Sequence, residues 1–379
     1  MQLSVCIITK NEQQNIARCM ESLKPYDVEI VVVDTGSTDN TKQIAVGYTD
    51  NLYDFVWCDD FAAAKNFAVS KATNPYVLVL DSDEYIEELD ILTLEQLLQE
   101  HPEKVGRIKR RNIFSRDGIR KENQEWINRI FAKDSFCYEG RIHEQVVAKD
   151  GTEYGTYRTP VVIGHTGYDL SEEERKKKTR RNIALLEQEL ARLLEENGVS
   201  CVWEDLEKCG NEGKRGEQIP YILYQLGKSY YMAEDYVQAC EYFSQGLSYD
   251  LNSKLEYVID MVETYGYALI NSGNAGEALF FENIYDEFGD SADFQFLMGL
   301  IYMNNERFED AVREFRKATK QKECRNSGAN SYAAYYNIGV IYECLGKADE
   351  AKIYYKKCGD YEPAVKRLTI NETEYRREL

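Results

Sequence analysis

Two carboxylates two residues apart, Asp81 and Asp83, follow an unbroken apolar run, Tyr76-Val-Leu-Val-Leu80, that begins after Pro75. Hard oxygen donors at that spacing suit a divalent cation, Mg²⁺ or Mn²⁺, that is also held by substrate phosphates. The run reads as a strand buried on both faces, and open α/β sheets take their ligands at the carboxyl ends of strands. In isolation the pair would read more plainly as a turn in which Asp81 or Ser82 caps the next segment of chain. Two other strand ends shift the balance: the segment Thr9 to Glu12, and Asp34. Together such groups can accept from a base N–H, accept from ribose hydroxyls and hold a metal on a diphosphate, the contacts that an activated sugar nucleotide requires.

The elements that must position these residues alternate along the chain. Leu3 to Thr9 is an apolar strand, and Ile16, Ala17, Met20 and Leu23 come next at helical spacing. Glu29 to Val33 is a second strand, after which Gly36 permits a turn and Ser37, Thr38 and Asp39 can cap a helix over Thr41 to Val46. Phe61 to Ala72 reads as a helix leading into the strand at Tyr76, so the order is β-α-β-α-β-α-β and a parallel sheet is implied. The first strand is not followed by Gly-x-Gly-x-x-Gly, nor is there a Gly-rich loop closed by Gly-Lys-Ser/Thr, which excludes a dinucleotide fingerprint and a P-loop.

Four segments, in order, resemble the family 2 glycosyltransferases of the GT-A fold. They are Ser4-Val-Cys-Ile-Ile-Thr-Lys-Asn-Glu12, Val31-Val-Val-Asp-Thr-Gly-Ser-Thr-Asp-Asn-Thr41, Phe61-Ala-Ala-Ala-Lys-Asn-Phe-Ala68 and Asp81-Ser-Asp83. The resemblance implies an α/β GT-A domain with a Rossmann-like mixed sheet over residues 1–170, a nucleotide-diphospho-sugar donor with a UDP-sugar first in line, Mn²⁺ or Mg²⁺, and inversion at the anomeric carbon. It places Thr9 and Glu12 along the nucleoside, Asp34 on the base, Asp81 on the ribose side and Asp83 on the metal. Lys65 stands where the family often has Arg; it would meet a phosphate as a point charge, without a bidentate grip. A haloacid-dehalogenase-like phosphatase shares the apolar strand and Asp-x-Asp, but it would have Thr or Val where this chain has Tyr85, and its pair would not follow three earlier strands.

Glu125-Trp-Ile-Asn-Arg-Ile-Phe131, Tyr138-Glu-Gly-Arg-Ile-His-Glu-Gln145 and Ile163-Gly-His-Thr-Gly-Tyr168 resemble signatures of a bacterial branch of the same family that glycosylates peptides and cell-envelope glycans. Two of the three histidines, His143 and His165, fall in these segments, His101 being the third. An inverting transfer needs a base to deprotonate the acceptor. Glu144 is the first choice and Glu139 the fallback. His143 would orient the diphosphate or the base, and His165 would complete the metal's coordination or touch the diphosphate. The basic run Arg107 to Lys121 reads as a solvated strand-turn-strand around Asp117-Gly118, and Trp126 as an aromatic wall.

From Ser171 the composition changes to a basic, then leucine-rich helix, which reads as a connection over residues 171–215. Residues 216–379 repeat: Gly227, Gly266, Gly299 and Gly339 are each followed twelve residues later by an alanine. Small residues at fixed positions of paired helices serve tight packing, and the pattern resembles tetratricopeptide repeats. Such repeats imply a peptide or protein acceptor, or a homodimer. The net charge of −20 over 379 residues argues against nucleic acid as a partner. No stretch approaches a membrane span, and the start has no basic n-region, so a cytoplasmic protein with reduced cysteines is expected. The rival functions are transfer to an envelope or lipid-linked glycan, and a repeat scaffold with a non-catalytic front domain.

Overall fold

Leu3–Thr9 is buried along its whole length as the central strand β1, because its alternate side chains enter two different cores. The computed structural model describes residues 2–116, 119–165, 172–196 and 218–375. After β1 come α1 (Ile16–Glu21), β2 (Glu29–Asp34), α2 (Thr41–Val46), β3 (Leu52–Asp54), α3 (Phe61–Lys71), β4 (Tyr76–Asp81), β5 (Glu84–Leu89) and α4 (Ile91–Glu100). The front unit continues with β6 (Val105–Arg116), β7 (Ile119–Ala132), β8 (Phe136–Glu139), β9 (Gln145–Ala148) and β10 (Thr156–His165). Leu3, Val5 and Ile7 pack with α1, α2 and α4 on one face of the sheet. Cys6 and Ile8 pack with α3 and the β8–β9 ribbon on the other.

The eight-stranded sheet has the order β3-β2-β1-β4-β7-β6-β10-β5. Its first four strands are parallel, as the alternation implies, but the parallel sheet stops there: β7 runs antiparallel to β4, β6 antiparallel to β7, and β5 antiparallel to β10. For β5, connection length rules out a parallel place beside β4. A parallel neighbour needs a crossover of a dozen or more residues, whereas only Ser82 and Asp83 separate β4 from β5. The chain therefore turns sharply at the carboxylate pair, and β5 leaves for the far edge of the sheet. The expected turn at Asp117-Gly118 and the start at Ser171 lie outside the described residues.

The chain divides into two compact units, Met1–Lys178 and Thr179–Leu379, the division falling within α5 (Glu172–Glu196). The second unit is built of helices: α6 (Gln218–Met232), α7 (Tyr236–Gly246), α8 (Glu256–Asn271), a 3₁₀ helix (Glu277–Ile284), α9 (Tyr285–Phe288), α10 (Ala292–Asn304), α11 (Phe308–Ala318), α12 (Tyr332–Cys344), α13 (Ala348–Lys357) and α14 (Glu362–Tyr375). In three helix pairs the glycine faces an aromatic ring sixteen residues on. A Cβ on Gly227, Gly299 or Gly339 would come within 2.5 Å of Phe243, 2.6 Å of Phe315 or 2.5 Å of Tyr355. The second pair departs from this. Glu282 stands where the ring would be and pairs with Tyr302 and Arg307, Gly266 faces Leu297 of the following pair, and the partner segment winds as a 3₁₀ helix.

Candidate active site

Three adjacent strand ends carry the candidate groups. Thr9 lies opposite Asp34 in the β1–β2 register, and Ile8 opposite Asp81 in the β1–β4 register, so the ends of β2, β1 and β4 form one ledge. Asp34 is 1% exposed; its Oδ1 accepts from the amides of Gly36 (2.9 Å) and Ser37 (2.8 Å), while Oδ2 has no partner. Gly36, at φ +102°, makes the tight return that brings both amides onto one oxygen. On the neighbouring strand the buried hydroxyl of Thr9 also lacks a partner. Buried polar atoms are almost always satisfied, so two orphans side by side at strand ends are candidates for bonds to a polar ligand. Glu12 stands near, its amide bonded to Thr41 Oγ1 and its carboxylate to Asn15. Burial raises the Glu12 carboxyl above its usual range against the pull of Asn15, and the charges of Asp83 and Asp39 add to the rise.

Asp81 is gripped from two sides. Lys65 Nζ lies 3.0 Å from Oδ1, and Arg129 lies 2.8 Å from Oδ2. Burial would raise this carboxyl, but Arg129 and then Lys65 hold it well below the usual carboxylate range. Lys65 is 2% exposed and also reaches Glu144 Oε1 at 2.5 Å. Burial and the nearby Arg129 would depress its ammonium, yet Asp81 and Glu144 keep it above the ordinary lysine value. Both ligands of this lysine are therefore carboxylates of the chain. Helix α3 locks the arrangement: Asp60 caps it at the Ala63 amide, the Phe61 amide donates to the Arg141 carbonyl, and Asn66 bonds the backbone N–H and C=O of Tyr138. The turn from β8 to β9 is thereby fixed, with Gly140 (φ +97°) and His143 (φ +53°) bending the backbone and Glu139 exposed at its edge.

Asp83 begins a second group. Its Oδ2 lies 3.3 Å from His165 Nε2, and His165 Nδ1 lies 2.8 Å from Asn112 Oδ1. The amide orientation of Asn112 is fixed because its nitrogen donates to Asn123 Oδ1 and Glu125 Oε1. Its oxygen must then accept, so Nδ1 carries a proton. A neutral His165 consequently turns the lone pair of Nε2 toward a carboxylate. Two acceptors at that distance repel unless a cation lies between them, either a second proton on the ring or a metal ion. Burial would raise Asp83, but the bond and charge of His165 keep its carboxyl below the usual value. One carboxylate and one imidazole oriented from behind by an amide are a donor set that fits a divalent ion sharing its other positions with phosphate and water.

Four further residues complete the site and carry no role in the sequence reading. Arg129 and buried Glu84 pair at 3.5 Å, Glu84 also accepts from the Asp81 amide, Asn112 orients His165, and Tyr138 presents its ring to Lys65. Their signals were slight: Arg129 is a charge among Ile127, Ile130 and Phe131, and Glu84 follows the pair directly. Within the basic run Arg110 pairs with Glu84 and Glu125, and Arg111 with Glu87 and Glu122. Trp126 lies under Lys109 and Arg158.

Residues 4–147, which hold the ledge, the lysine and both carboxylates, match the Glycosyl transferase family 2 family. The front unit carries a family 2 glycosyltransferase domain. Residues 221–245, 292–323 and 332–365 match tetratricopeptide repeats, omitting the second helix pair with its 3₁₀ segment. The transferase domain is of the GT-A-like, mixed-sheet kind. Similar proteins include the SPbeta prophage-derived glycosyltransferase SunS of Bacillus subtilis, 28% identical over 50% of this chain and 45% of its own. The lipopolysaccharide core biosynthesis glycosyltransferase LpsC of Rhizobium meliloti is 33% identical over 38% of this chain and 57% of its own. A TPR repeat-containing protein of Synechococcus elongatus is 43% identical over 22% of this chain and 21% of its own. The chain thus spans between a fifth and three fifths of the length of these relatives.

Proposed function

We propose that the protein is a metal-dependent, inverting glycosyltransferase that takes its sugar from a nucleotide-diphospho-sugar, a UDP-sugar first, and passes it to a peptide or protein side chain. The observation that carries this reading is the pair of buried, unpartnered acceptors, Asp34 Oδ2 and Thr9 Oγ1, on the same ledge as Asp81. A uracil N–H and a ribose hydroxyl are donors of the kind these atoms lack. Asp83 and His165 would hold Mn²⁺ or Mg²⁺, which supplies charge neutralisation of a leaving diphosphate. Glu144 takes the proton of the acceptor as it attacks the anomeric carbon. Lys65 fixes that carboxylate at one end and Asp81 at the other. The helical repeats present the acceptor. The resemblance to LpsC favours a second reading, in which the acceptor is a sugar of an envelope glycan. A non-catalytic scaffold is disfavoured by the cost of maintaining two unsatisfied buried acceptors with no ligand to fill them.

Calorimetric titration of UDP-sugars with and without Mn²⁺ tests the reading. Binding should require the metal, Asp83→Ala should abolish turnover in a folded protein, and Asp34→Ala should act mainly on donor KM. Asn112→Ala, which frees the His165 ring and also removes the donor to Asn123 and Glu125, should weaken Mn²⁺ by about 10–100-fold. Wild-type transfer by the Asp83 variant, or donor affinity untouched in the Asp34 variant, would remove those residues from the site.

A further inference from the structure

β5 is the last strand in the sheet order, and it joins the sheet through β10. Its first residue follows Asp83 directly, and its register sets Glu84 against His165 and Tyr85 against Gly164. The 3.3 Å approach of Asp83 to His165 therefore depends on how an edge strand seats at its very start. Strand ends fray, and an edge strand has a neighbour on one side only to hold it.

Tyr85 stands at that point. A Cβ on Gly164 would come within 2.5 Å of the Tyr85 hydroxyl and 2.7 Å of Glu87 Oε1, and would strike the ring carbon that bears the hydroxyl. The tyrosine thus lies on the backbone of the residue before His165, in the space a side chain would take. Gly164 does not have a positive φ, so the position needs glycine for room and not for its conformation. The tyrosine is clamped in turn: the Arg18 guanidinium of α1 lies 4.5 Å over its ring, its hydroxyl donates to Glu87 Oε1 at 3.3 Å, and Arg111 holds Glu87 at 2.7 Å. On β6, Arg111 stands opposite Gly164 and Asn112 opposite His165, whose Nδ1 Asn112 bonds. Tyrosine and imidazole are therefore held from adjacent rungs of one ladder.

We infer that Tyr85 is a positioning residue for the Asp83–His165 pair: its ring, seated on Gly164, pins the start of β5 to the end of β10 and sets the gap in which a divalent cation is held. The inference rests on the proposed reading of that pair as a cation site. Tyr85 acts through the backbone and not as a ligand, since its hydroxyl is engaged by Glu87. Without the ring, the start of β5 gains freedom and Asp83 gains it too. A methyl on Gly164 displaces the ring and the backbone beside His165. Either change disturbs a gap in which a metal asks for narrow bond lengths.

The test titrates Mn²⁺ alone into the full chain and reads free Mn²⁺ by electron paramagnetic resonance, the binding lost in Asp83→Ala defining the site. Gly164→Ala and Tyr85→Ala should each weaken that binding by at least about fivefold. Tyr85→Phe should stay within about twofold of wild type, because the ring and not its hydroxyl covers the glycine. With both Tyr85→Ala and Gly164→Ala in one chain the methyl finds room, so the double variant should bind no more weakly than Tyr85→Ala alone. Should Gly164→Ala fail to melt cooperatively, Tyr85→Ala against Tyr85→Phe carries the test. Wild-type affinity in Tyr85→Ala, with site binding lost in Asp83→Ala, overturns the inference and leaves the cation reading standing. A Tyr85→Phe variant as weak as Tyr85→Ala, or losses that multiply in the double variant, overturns it as well. Wild-type binding in Asp83→Ala overturns both together.

Discussion

A carboxylate clasped by a lysine and an arginine resists protonation, and Asp81 shows what that does to the fold. Its pKa is depressed in the folded protein by Arg129 and Lys65, so the unfolded chain binds the proton more readily. The stability it contributes is therefore present above the unfolded value of about 4 and is lost as pH falls below it. Thermal melts of the transferase domain should fall progressively as the pH drops below about 4. Asp81→Asn should melt lower at neutral pH, where it leaves Lys65 and Arg129 short of a partner, and its pH curve should be flatter. A variant with the wild-type acid dependence would show that other carboxylates govern the transition. At this scale the sequence disclosed the candidates but not their partners. Asp34, Asp81 and Asp83 stand out because they end apolar runs. Lys65 and Arg129 do not, since what defines them is a carboxylate brought close only by the sheet. Lys65, expected against a phosphate by resemblance, faces Asp81 and Glu144.

At the scale of elements, spacing was a good guide wherever a single chain segment sets its own conformation. The first four parallel strands and their helices follow the apolar pattern closely, with α3 ending one residue early at Lys71. The strand-turn-strand read around Asp117-Gly118 corresponds to β6 and β7, but their place between β4 and β10 and the outward passage of β5 were not legible, because pairing partners are chosen by the whole sheet. The repeats show the same division. The glycine-to-alanine interval revealed four helix pairs, yet the aromatic ring that fills each notch decides which pairs are regular. Gly299→Ala should pit a gain of about 1 kcal/mol in helix propensity against an overpacking cost of about 1–3 kcal/mol at the Phe315 ring. The helical unit should therefore melt lower, by about 2–6 °C. Phe315→Leu in the same chain makes room for the new methyl, so the two changes should be less damaging together than their sum. Additive losses would mean that the ring and the glycine are not packed as one unit.

For the whole molecule the question is whether the proposed transfer needs both units. Among the described residues no helix is long and apolar enough to cross a membrane, and none of the candidate donor-site residues lies beyond Lys178. If the transferase domain alone holds the donor, a chain ended at Lys178 should still bind and slowly hydrolyse a UDP-sugar. Glycosylation of a polypeptide should fall sharply if, as proposed, the repeats present it. The cut is better placed there than after α5: Leu186, Leu190, Leu193 and Leu194 are buried and fall within the second compact unit, and leaving them on a truncated chain would carry an apolar stripe prone to association. Circular dichroism and light scattering must first show a folded, monodisperse fragment. Undiminished transfer to polypeptide by that fragment would place acceptor recognition in the front domain. Donor hydrolysis lost in a folded fragment would instead show that the catalytic ledge depends on the repeats, and the labour would have to be divided differently.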